Sequence, residues 1–554
     1  MSHEQVQNPP KKRGCQRGCL TIVVVLITLV VVFIWFNIPT PLRISPETTY
    51  ITTPLMPDGK RVDYFRAMEE KFYPPEMKTD DNGYRLLVRA FGENAWQRET
   101  TNPTIGEIRD ALKPDHSQYI YEKLGLAPND VSTTPLKIES PTALLYRVSV
   151  DQSSFDQAAA FQQVSFWTLD DYPMLEQWLE ENTACIDVLA EAVRKPMFYG
   201  VHFVRENENS SMFMPQVSGV LFRDWAEAVR ARATYRLGIG DIDGAIDDLV
   251  TLHRLGRHTG RQVTLLSWVV GLYMEATGSS IGIGSNPNFT PTKEQIARLL
   301  TELTALPPRQ TFSEVVETER FFSLAALQDV YYNQIDLFGR ETFLTKNIRW
   351  LVDINVFLSR CNKHFDEQIS ETIDISTWQP SRNPLSYLFI RSRTIQIHDT
   401  IGVVALRGQR ERAQSQECLA NMQLLTLALL LYEKEHDKLP DGDWRAAIQP
   451  YLAGTPADEA NADKYFRCPS CPAAEDETTY VMISGTSNQV LLVETHEPQT
   501  NEPRTLESVM NALGSNHSGS VNVGLRSGAI RSLDKDTAPD ELRKLLNGTD
   551  GELP

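Results

Sequence analysis

The sequence predicts a mainly helical protein with a C-terminal α+β head, preceded by a single N-terminal transmembrane helix. Three observations carry this prediction. Residues 19–36 form an uncharged apolar run. The middle of the chain places apolar residues at steps of three and four, which is typical of amphipathic helices. Near the C-terminus, a long helical pattern precedes short apolar runs separated by turn residues, the pattern of a small antiparallel sheet.

The apolar run reads CLTIVVVLITLVVVFIWF. At ~1.5 Å per residue, about 18 residues just cover a hydrocarbon core of roughly 30 Å. Four basic residues between positions 11 and 17 precede the run, and the cytoplasmic flank of a span normally carries the basic excess. We therefore expect an uncleaved signal anchor in the inner membrane, with the N-terminus in the cytoplasm and the bulk periplasmic or extracellular. A cleaved signal peptide fits less well, because the following FNIPTPLRIS lacks a small-x-small cleavage site.

Composition limits the classes of partner. The formal net charge of −18 argues against nucleic acid, because phosphate binding needs clustered basic residues. Five of the seven cysteines lie beyond the predicted anchor, and five are too few for a disulfide scaffold in a chain of this length. The region outside the membrane must therefore be held together by its hydrophobic core.

The middle of the chain reads as an irregular helical bundle. Its best-patterned segment, residues 222–258, predicts two amphipathic helices around the turn Gly238-Ile239-Gly240-Asp241. Residues of this segment resemble one tetratricopeptide-type hairpin: Ala233, Tyr235, Leu237, Gly238, Gly244, Ala245 and Leu249. Since no second copy follows at the expected period, a full repeat array is not expected. Residues 134–168 fit either short strands or helix, and the pattern leaves the choice open.

The C-terminal part begins with a helical stretch that runs from Pro384 to about Lys438. Strand-like runs follow at 478–484 and 489–495. Two more runs, 521–525 and 529–533, flank Arg526-Ser527-Gly528 and predict a β-hairpin. One long helix on a small antiparallel sheet is an α+β arrangement.

Several residues here resemble bacterial pilin-like proteins of the type II secretion pseudopilin G kind. The helix carries Cys418-x-x-Asn421, Tyr432 and Leu439-Pro440, and FRCPSCP at 466–472 resembles the Cys-Pro-Ser element of these heads. His517 and Gly528 take the His and Gly positions of an H-X9-DG motif, whereas Ser527 replaces its Asp. The resemblance implies a secretion-related head. Filament assembly is not expected, because the long helical region separates the anchor from this head.

These observations divide the chain into six segments. In order, they are a cytoplasmic tail (1–18), a transmembrane helix (19–37), a tether (38–58), a helical ectodomain (59–384), a pilin-like α+β domain (385–535) and a C-terminal tail (536–554).

Cys468-Pro-Ser-Cys471 is the sharpest chemical motif. It is compatible with a structural disulfide, either within the motif or to Cys418. It is also compatible with a zinc half-site completed by Cys418, His436 or His496, because zinc needs further ligands. A redox-active dithiol would also fit the motif, as would a pair of inert thiols.

The leading functional expectation is a non-enzymatic, membrane-anchored envelope protein that acts as an interaction scaffold. It would contact the membrane and protein partners but not nucleic acid, and no cofactor is expected. The zinc-protease motif HExxH does not occur in the sequence. Two further functions stay open: an exported enzyme whose site is assembled from scattered residues, and a zinc-binding domain that uses the CxxC motif.

Overall fold

The computed structural model places most of the helical middle and the C-terminal sheet. It describes residues 27–28, 41–96, 116–149, 152–201, 203–205, 208–211, 213–215, 219–262, 264–332, 354–369, 404–453, 462–468, 478–483, 490–499, 502–505, 520–534 and 538. The predicted class is confirmed at this level: the chain is mainly helical and ends in a four-stranded antiparallel sheet.

Fifteen α-helices lie within the described residues. They are α1 (Pro46–Thr49), α2 (Tyr64–Phe72), α3 (Gly83–Phe91), α4 (His116–Leu124), α5 (Pro141–Val148), α6 (Gln152–Phe161), α7 (Glu176–Arg194), α8 (Gly219–Gly238), α9 (Ile242–Gly260), α10 (Leu265–Ser279), α11 (Lys293–Thr304), α12 (Phe312–Tyr331), α13 (Ile354–Ile369), α14 (Val404–His436) and α15 (Trp444–Leu452). The described strands are β1 (Phe203–Arg205), β2 (Phe213–Pro215), β3 (Thr478–Met482), β4 (Val490–Gln499), β5 (Ser520–Leu525) and β6 (Ile530–Asp534).

The chain forms two compact units. The described residues of the smaller unit fall within 1–67, 207–213 and 320–392, and those of the larger unit fall within 68–206, 214–319 and 393–554. The larger unit thus contains both the middle helices and the C-terminal sheet.

The smaller unit is organised by buried charge. The guanidinium of Arg320 lies over the ring of Tyr50 at 4.0 Å and donates to Asp366 Oδ1 at 2.6 Å. Asp329 accepts hydrogen bonds from Arg61 at 3.1 Å and from Ser210 at 2.6 Å. Arg320, Arg61 and Asp329 are buried, whereas the side chain of Asp366 is 66% exposed. Because buried charges need such partners, these contacts fix the local geometry of the unit.

The first core of the larger unit packs α3, α7 and α8 around large aromatic side chains. Trp167, Trp178 and Trp225 are among its fully buried residues. Asn82 caps α3 by accepting from the backbone N–H of Tyr84, which satisfies one of the first amides of that helix. The stretch that the sequence left undecided, 134–168, is helical over α5 and α6.

Helices α8 and α9 form the predicted hairpin, and this prediction is confirmed. Asp241 caps α9 by accepting from Gly244 N at 3.0 Å, and Gly240 takes a φ of 82° in the turn. Arg232 of α8 donates to Asp248 of α9 at 2.6 Å and to Asp187 of α7 at 2.6 Å. Most of α9 is buried, so the hairpin is a structural centre of the larger unit rather than an open groove.

The four C-terminal strands pair in chain order, β3-β4-β5-β6, and all three pairings are antiparallel. The predicted strands and the β5–β6 hairpin are thereby confirmed. The long helix α14 lies on one face of this sheet, and apolar residues of α9 and α11 join it in the same core. The helix is consequently buried on both its sheet side and its helix side, and residues 421–431 are all buried.

The β5–β6 turn also contacts the segment that follows α10 in the larger unit. Gly284 N–H donates to the carbonyl of Ser527 at 2.9 Å, and a Cβ on Gly282 would lie 2.4 Å from that same oxygen. Ser279 Oγ donates to Gln423 Oε1 at 2.9 Å. The sheet domain and the middle helices therefore share one continuous core.

No helix in the described part of the chain is both long and apolar enough to span a membrane. Apart from residues 27 and 28, the apolar run 19–36 lies outside that part. The predicted anchor stays a prediction, as do the six segment boundaries.

Candidate functional site

A row of polar side chains crosses the face of the sheet that supports the long helix α14. Each of the four strands contributes one member: Tyr480, Glu494, Asn522 and Ser532. Tyr480 and Glu494 are directly opposite each other in the β3–β4 register, and Asn522 is opposite Ser532 in the β5–β6 register. The neighbouring positions on this face, such as Met482 and Leu492, are apolar and belong to the shared core. The polar row therefore runs from this hydrophobic interface out to the exposed Ser532, and its buried members must satisfy one another.

The helix and the chain before β3 bring two thiols to this row. Cys418 Sγ lies 3.1 Å from the hydroxyl of Tyr480 and donates to Glu494 Oε1 at 3.1 Å. Cys468 Sγ, Cys418 Sγ and a carboxylate oxygen of Glu494 all lie within 4.8 Å of one another. We call Cys418, Cys468 and Glu494 the thiol–carboxylate cluster. All three are buried, with exposures of 0%, 2% and 0%.

Hydrogen bonds fix the position of Cys468. Its backbone N–H donates to Thr479 Oγ1 at 2.7 Å, which fastens it to β3. The adjacent Arg467 carbonyl accepts from Asn421 Nδ2 of α14 at 3.3 Å. Asn421, a position singled out by the family resemblance, therefore holds the cysteine-bearing segment against the helix.

The orientation of Glu494 is set by side chains of the neighbouring strands β5 and β6. Asn522 Nδ2 donates to Glu494 Oε2 at 2.7 Å, and Ser532 Oγ donates to Asn522 Oδ1. One carboxylate oxygen is thus directed at the amide and the other at the thiol. The side chain is held in one geometry before any ligand arrives.

The protonation states follow from burial. Burial, together with the neighbouring Cys468 and Glu494, raises the pKa of the Cys418 thiol well above its usual value. Burial, with Cys418 and Glu494 nearby, likewise raises the pKa of the Tyr480 hydroxyl. Both groups are neutral at physiological pH, so each has a proton to donate within the row.

The structure brings together only some of the residues that the sequence analysis singled out. Cys418, Cys468 and Asn421 converge, and both cysteines are thiols in the structure. The disulfide between the CxxC motif and Cys418 stays a prediction. His436 lies 18 residues further along α14, about 27 Å away at ~1.5 Å per residue. There its ring stacks on Tyr432 at 4.1 Å. The side chains of Cys471, His496 and His517 lie outside the described residues.

The remaining motif positions are structural. Gly528 has a φ of 84° in the β5–β6 turn, a conformation that favours glycine. Ser527 Oγ accepts from the N–H of Ala529 at 3.3 Å in the same turn. Pro440 is buried just after the end of α14, where its ring cannot continue a helix.

A second buried carboxylate lies among the middle helices. Glu275 of α10 pairs with Arg257 at 2.8 Å and with Arg309 at 2.7 Å, beside a small cavity that Trp268 also lines. Burial alone would raise the pKa of Glu275, but the ion pairs with Arg309 and Arg257 outweigh it and lower that pKa. Both oxygens are engaged by guanidinium groups, so this arrangement is suited to holding three elements together rather than to proton transfer.

Sequence reasoning missed Glu494, Tyr480 and Asn522. A signal was present: Glu494 and Asn522 are the polar members of the otherwise apolar runs VLLVET and VNVGL. A charged or amide side chain on the core face of a buried strand needs partners there. Which partners it finds depends on the register of the sheet and on the helix above it, and neither was readable.

Against this geometry, comparison with known proteins gives no assignment, because no family model, no curated protein and no solved structure matches the chain.

Proposed function

We propose that this chain is a membrane-anchored, non-enzymatic envelope protein whose folded body serves as an interaction scaffold with a pilin-like, secretion-related head. The observation that carries the proposal is the helix-on-sheet arrangement of α14 with β3–β6. It has the element order expected for the pilin-like family. Asn421 and Gly528, two positions of the resemblance, have structural roles in it.

The head is a static module in this proposal. A filament subunit needs a free helix face to pack against its neighbours. Here α14 is already covered by the sheet on one side and by α11 on the other, where Leu299 and Leu303 join its core. Lys293 of α11 also pairs with Glu435 of α14 at 2.9 Å. The head fold is therefore used to build one body rather than to polymerise.

The inner-membrane location rests on the sequence alone, namely the uncharged run 19–36 and the basic residues before it. A topology experiment tests it directly. A Cβ added at Gly442 meets no atom within 4 Å, so Gly442→Cys supplies an exposed thiol without disturbing the fold. The described cysteines Cys185, Cys361, Cys418 and Cys468 are buried and should react slowly.

We expect a membrane-impermeant maleimide to label Gly442→Cys in cells whose outer membrane has been opened, well above the labelling of the parent chain. The parent chain is the matched control, because it carries every other cysteine. Labelling that appears only after the inner membrane is broken would contradict the proposal.

The scaffold role is tested by cross-linking through the same thiol in intact envelopes. We expect defined cross-linked species that recur between preparations. These species should be absent for a control chain in which an unrelated soluble domain replaces residues 1–58. Equal recovery with that control chain would argue against a scaffold.

A further inference from the structure

We propose that the thiol–carboxylate cluster is a zinc site, with Cys418 Sγ, Cys468 Sγ and the carboxylate of Glu494 as protein ligands. The inference does not depend on the proposed scaffold function. It concerns a buried site in which only Cys468 belongs to the CxxC motif, whereas Cys418 and Glu494 come from other parts of the chain.

The donor set fits zinc. Thiolate sulfur selects soft and borderline metals, and carboxylate oxygen is also an accepted zinc ligand, whereas magnesium and calcium require oxygen donors. The ligands come from three elements: Cys418 from α14, Cys468 from the segment before β3, and Glu494 from β4. An ion bound here would join the long helix to the sheet, and the fourth position of a tetrahedral zinc ion would be filled by a ligand other than these three side chains.

The spacing is close to what zinc requires. Zinc–sulfur bonds of ~2.3 Å and zinc–oxygen bonds of ~2.0 Å place tetrahedral ligands roughly 3.5 to 3.8 Å apart. The three ligand atoms lie within 4.8 Å of one another, and the Cys418–Glu494 edge is 3.1 Å. Zinc binding would lengthen the distance between Cys418 Sγ and Glu494 Oε1 by a few tenths of an ångström, which small side-chain rotations can supply. The hydrogen bond between these two atoms would be replaced by one bond from each atom to the metal.

The surrounding groups have the arrangement of an outer ligand shell. Asn522 donates to the Glu494 oxygen that faces away from the thiols, and Ser532 in turn holds Asn522. The Tyr480 hydroxyl lies 3.1 Å from Cys418 Sγ, where it donates to the sulfur once the thiol proton has left. Such partners orient ligands and disperse the net negative charge of two thiolates and a carboxylate around a divalent ion.

The test uses the full chain in detergent, purified without chelator, and the metals themselves as probes. We expect about one zinc per chain by elemental analysis, and cobalt(II) loading that produces a thiolate-to-metal charge-transfer band. Cys418→Ser and Cys468→Ser should each lower the metal content to less than about a tenth of the parent value. Glu494→Gln should weaken zinc binding by at least about 10-fold, because a neutral amide replaces an anionic ligand.

Cys185→Ser is the matched control. Cys185 is as buried as the cluster cysteines but belongs to the core around α7, so the same change should leave the metal content unaltered. If a cysteine variant does not fold, the parent chain still tests the proposal. A chelator should release one equivalent of zinc and lower the melting temperature. Added zinc should restore the bound metal and the original melting temperature.

Three results would overturn the proposal. They are a folded parent chain that binds neither zinc nor cobalt, unchanged metal binding in Cys418→Ser and Cys468→Ser, and a mapped disulfide that consumes Cys418 or Cys468 in metal-free protein.

Discussion

Two buried carboxylates in the larger unit have opposite surroundings. Glu275 lies between the guanidinium groups of Arg257 and Arg309, at 2.8 and 2.7 Å. Glu494 instead accepts from a thiol at 3.1 Å and from an amide at 2.7 Å. The Glu275 cluster contains its own positive charge, from two arginines. The Glu494 cluster contains neutral thiol and amide groups instead. In the proposed zinc site its thiols become metal ligands once they are deprotonated.

The difference separates a structural ion cluster from a site suited to an ion. Removing one charge from the Glu275 cluster leaves other buried charges uncompensated, so its disruption should destabilise the fold under all conditions. Disruption of the Glu494 cluster should depend strongly on whether metal is present. The following variants and conditions test this contrast.

Glu275→Gln should have the largest effect. The change leaves Arg257 and Arg309 buried without their shared anion, which typically destabilises a fold by about 3 to 5 kcal/mol. Urea unfolding of the full chain measures the loss. The control is Glu302→Gln, which breaks a more exposed pair with Arg254 and should change stability by less than about 1 kcal/mol. Equal effects of the two variants would show that the Glu275 cluster contributes little.

Acid should weaken the helices around Glu275. Burial lowers the pKa of His253 and of His258 to about 4, below their value of about 6.5 in the unfolded chain. The unfolded chain therefore binds more protons in this window, so stability is complete above about pH 6.5 and falls as the pH drops toward 4. At about pH 5 the loss is about 2 kcal/mol per histidine.

Urea unfolding at about pH 7.5 and about pH 5 measures this loss. His258→Phe keeps an aromatic ring against Phe198, which stacks on His258 at 4.6 Å, and removes one of the two titrating groups. We expect its pH sensitivity to be clearly smaller than that of the parent chain. An unchanged sensitivity would contradict the assignment to His258.

Asn522→Ala should have an intermediate effect. The buried Glu494 loses the donor to its Oε2 atom, and a hydrogen bond to a charged group contributes about 2 kcal/mol. Asn288→Ala, at an exposed position, should stay within about 0.5 kcal/mol of the parent chain. The chemical denaturation midpoints of the two variants, measured side by side, provide the comparison.

Ser527→Asp should have the smallest effect. It introduces the Asp of the H-X9-DG motif at a half-buried turn position, where its carboxylate can still accept from the N–H of Ala529. We expect a change within about 0.5 kcal/mol, whereas Ser527→Ala should lose about 1 kcal/mol with the acceptor. A large destabilisation by Asp would show that this turn excludes the family carboxylate.

The sequence predicted most elements of the larger unit and little of its site. Helices α8 and α9 were readable because their apolar period is strong and Gly238-Ile239-Gly240-Asp241 punctuates them. The four C-terminal strands were readable from apolar runs between turn residues. Residues 134–168 were not, because TALLYRVSV fits a strand as well as the helix α5 that it forms, and tertiary packing decides between them.

Long-range pairing explains what sequence reasoning missed. The sequence analysis recognised both Cys468 of the motif and Cys418 of the helix. Glu494 joins these cysteines only because the strand register places it opposite Tyr480. Similarly, the pairing of Glu275 with Arg309 joins α10 to a loop after Pro307-Pro308 that has no local signal. The spacing of residues along the sequence does not reveal contacts between residues that are distant in sequence.

The shared core around α14 has a consequence for how the protein is made. Ala233 and Leu303, from the middle of the chain, belong to the same core as Leu492 and Ile530 from its C-terminal sheet. The ribosome therefore finishes one half of this core well before the other. Roughly 230 residues separate Leu303 from Ile530, and at about 5 to 20 residues per second their synthesis takes about 10 to 45 s. Throughout that interval the nascent helices expose apolar surface, and we expect the growing polypeptide to require a chaperone until its last hairpin emerges.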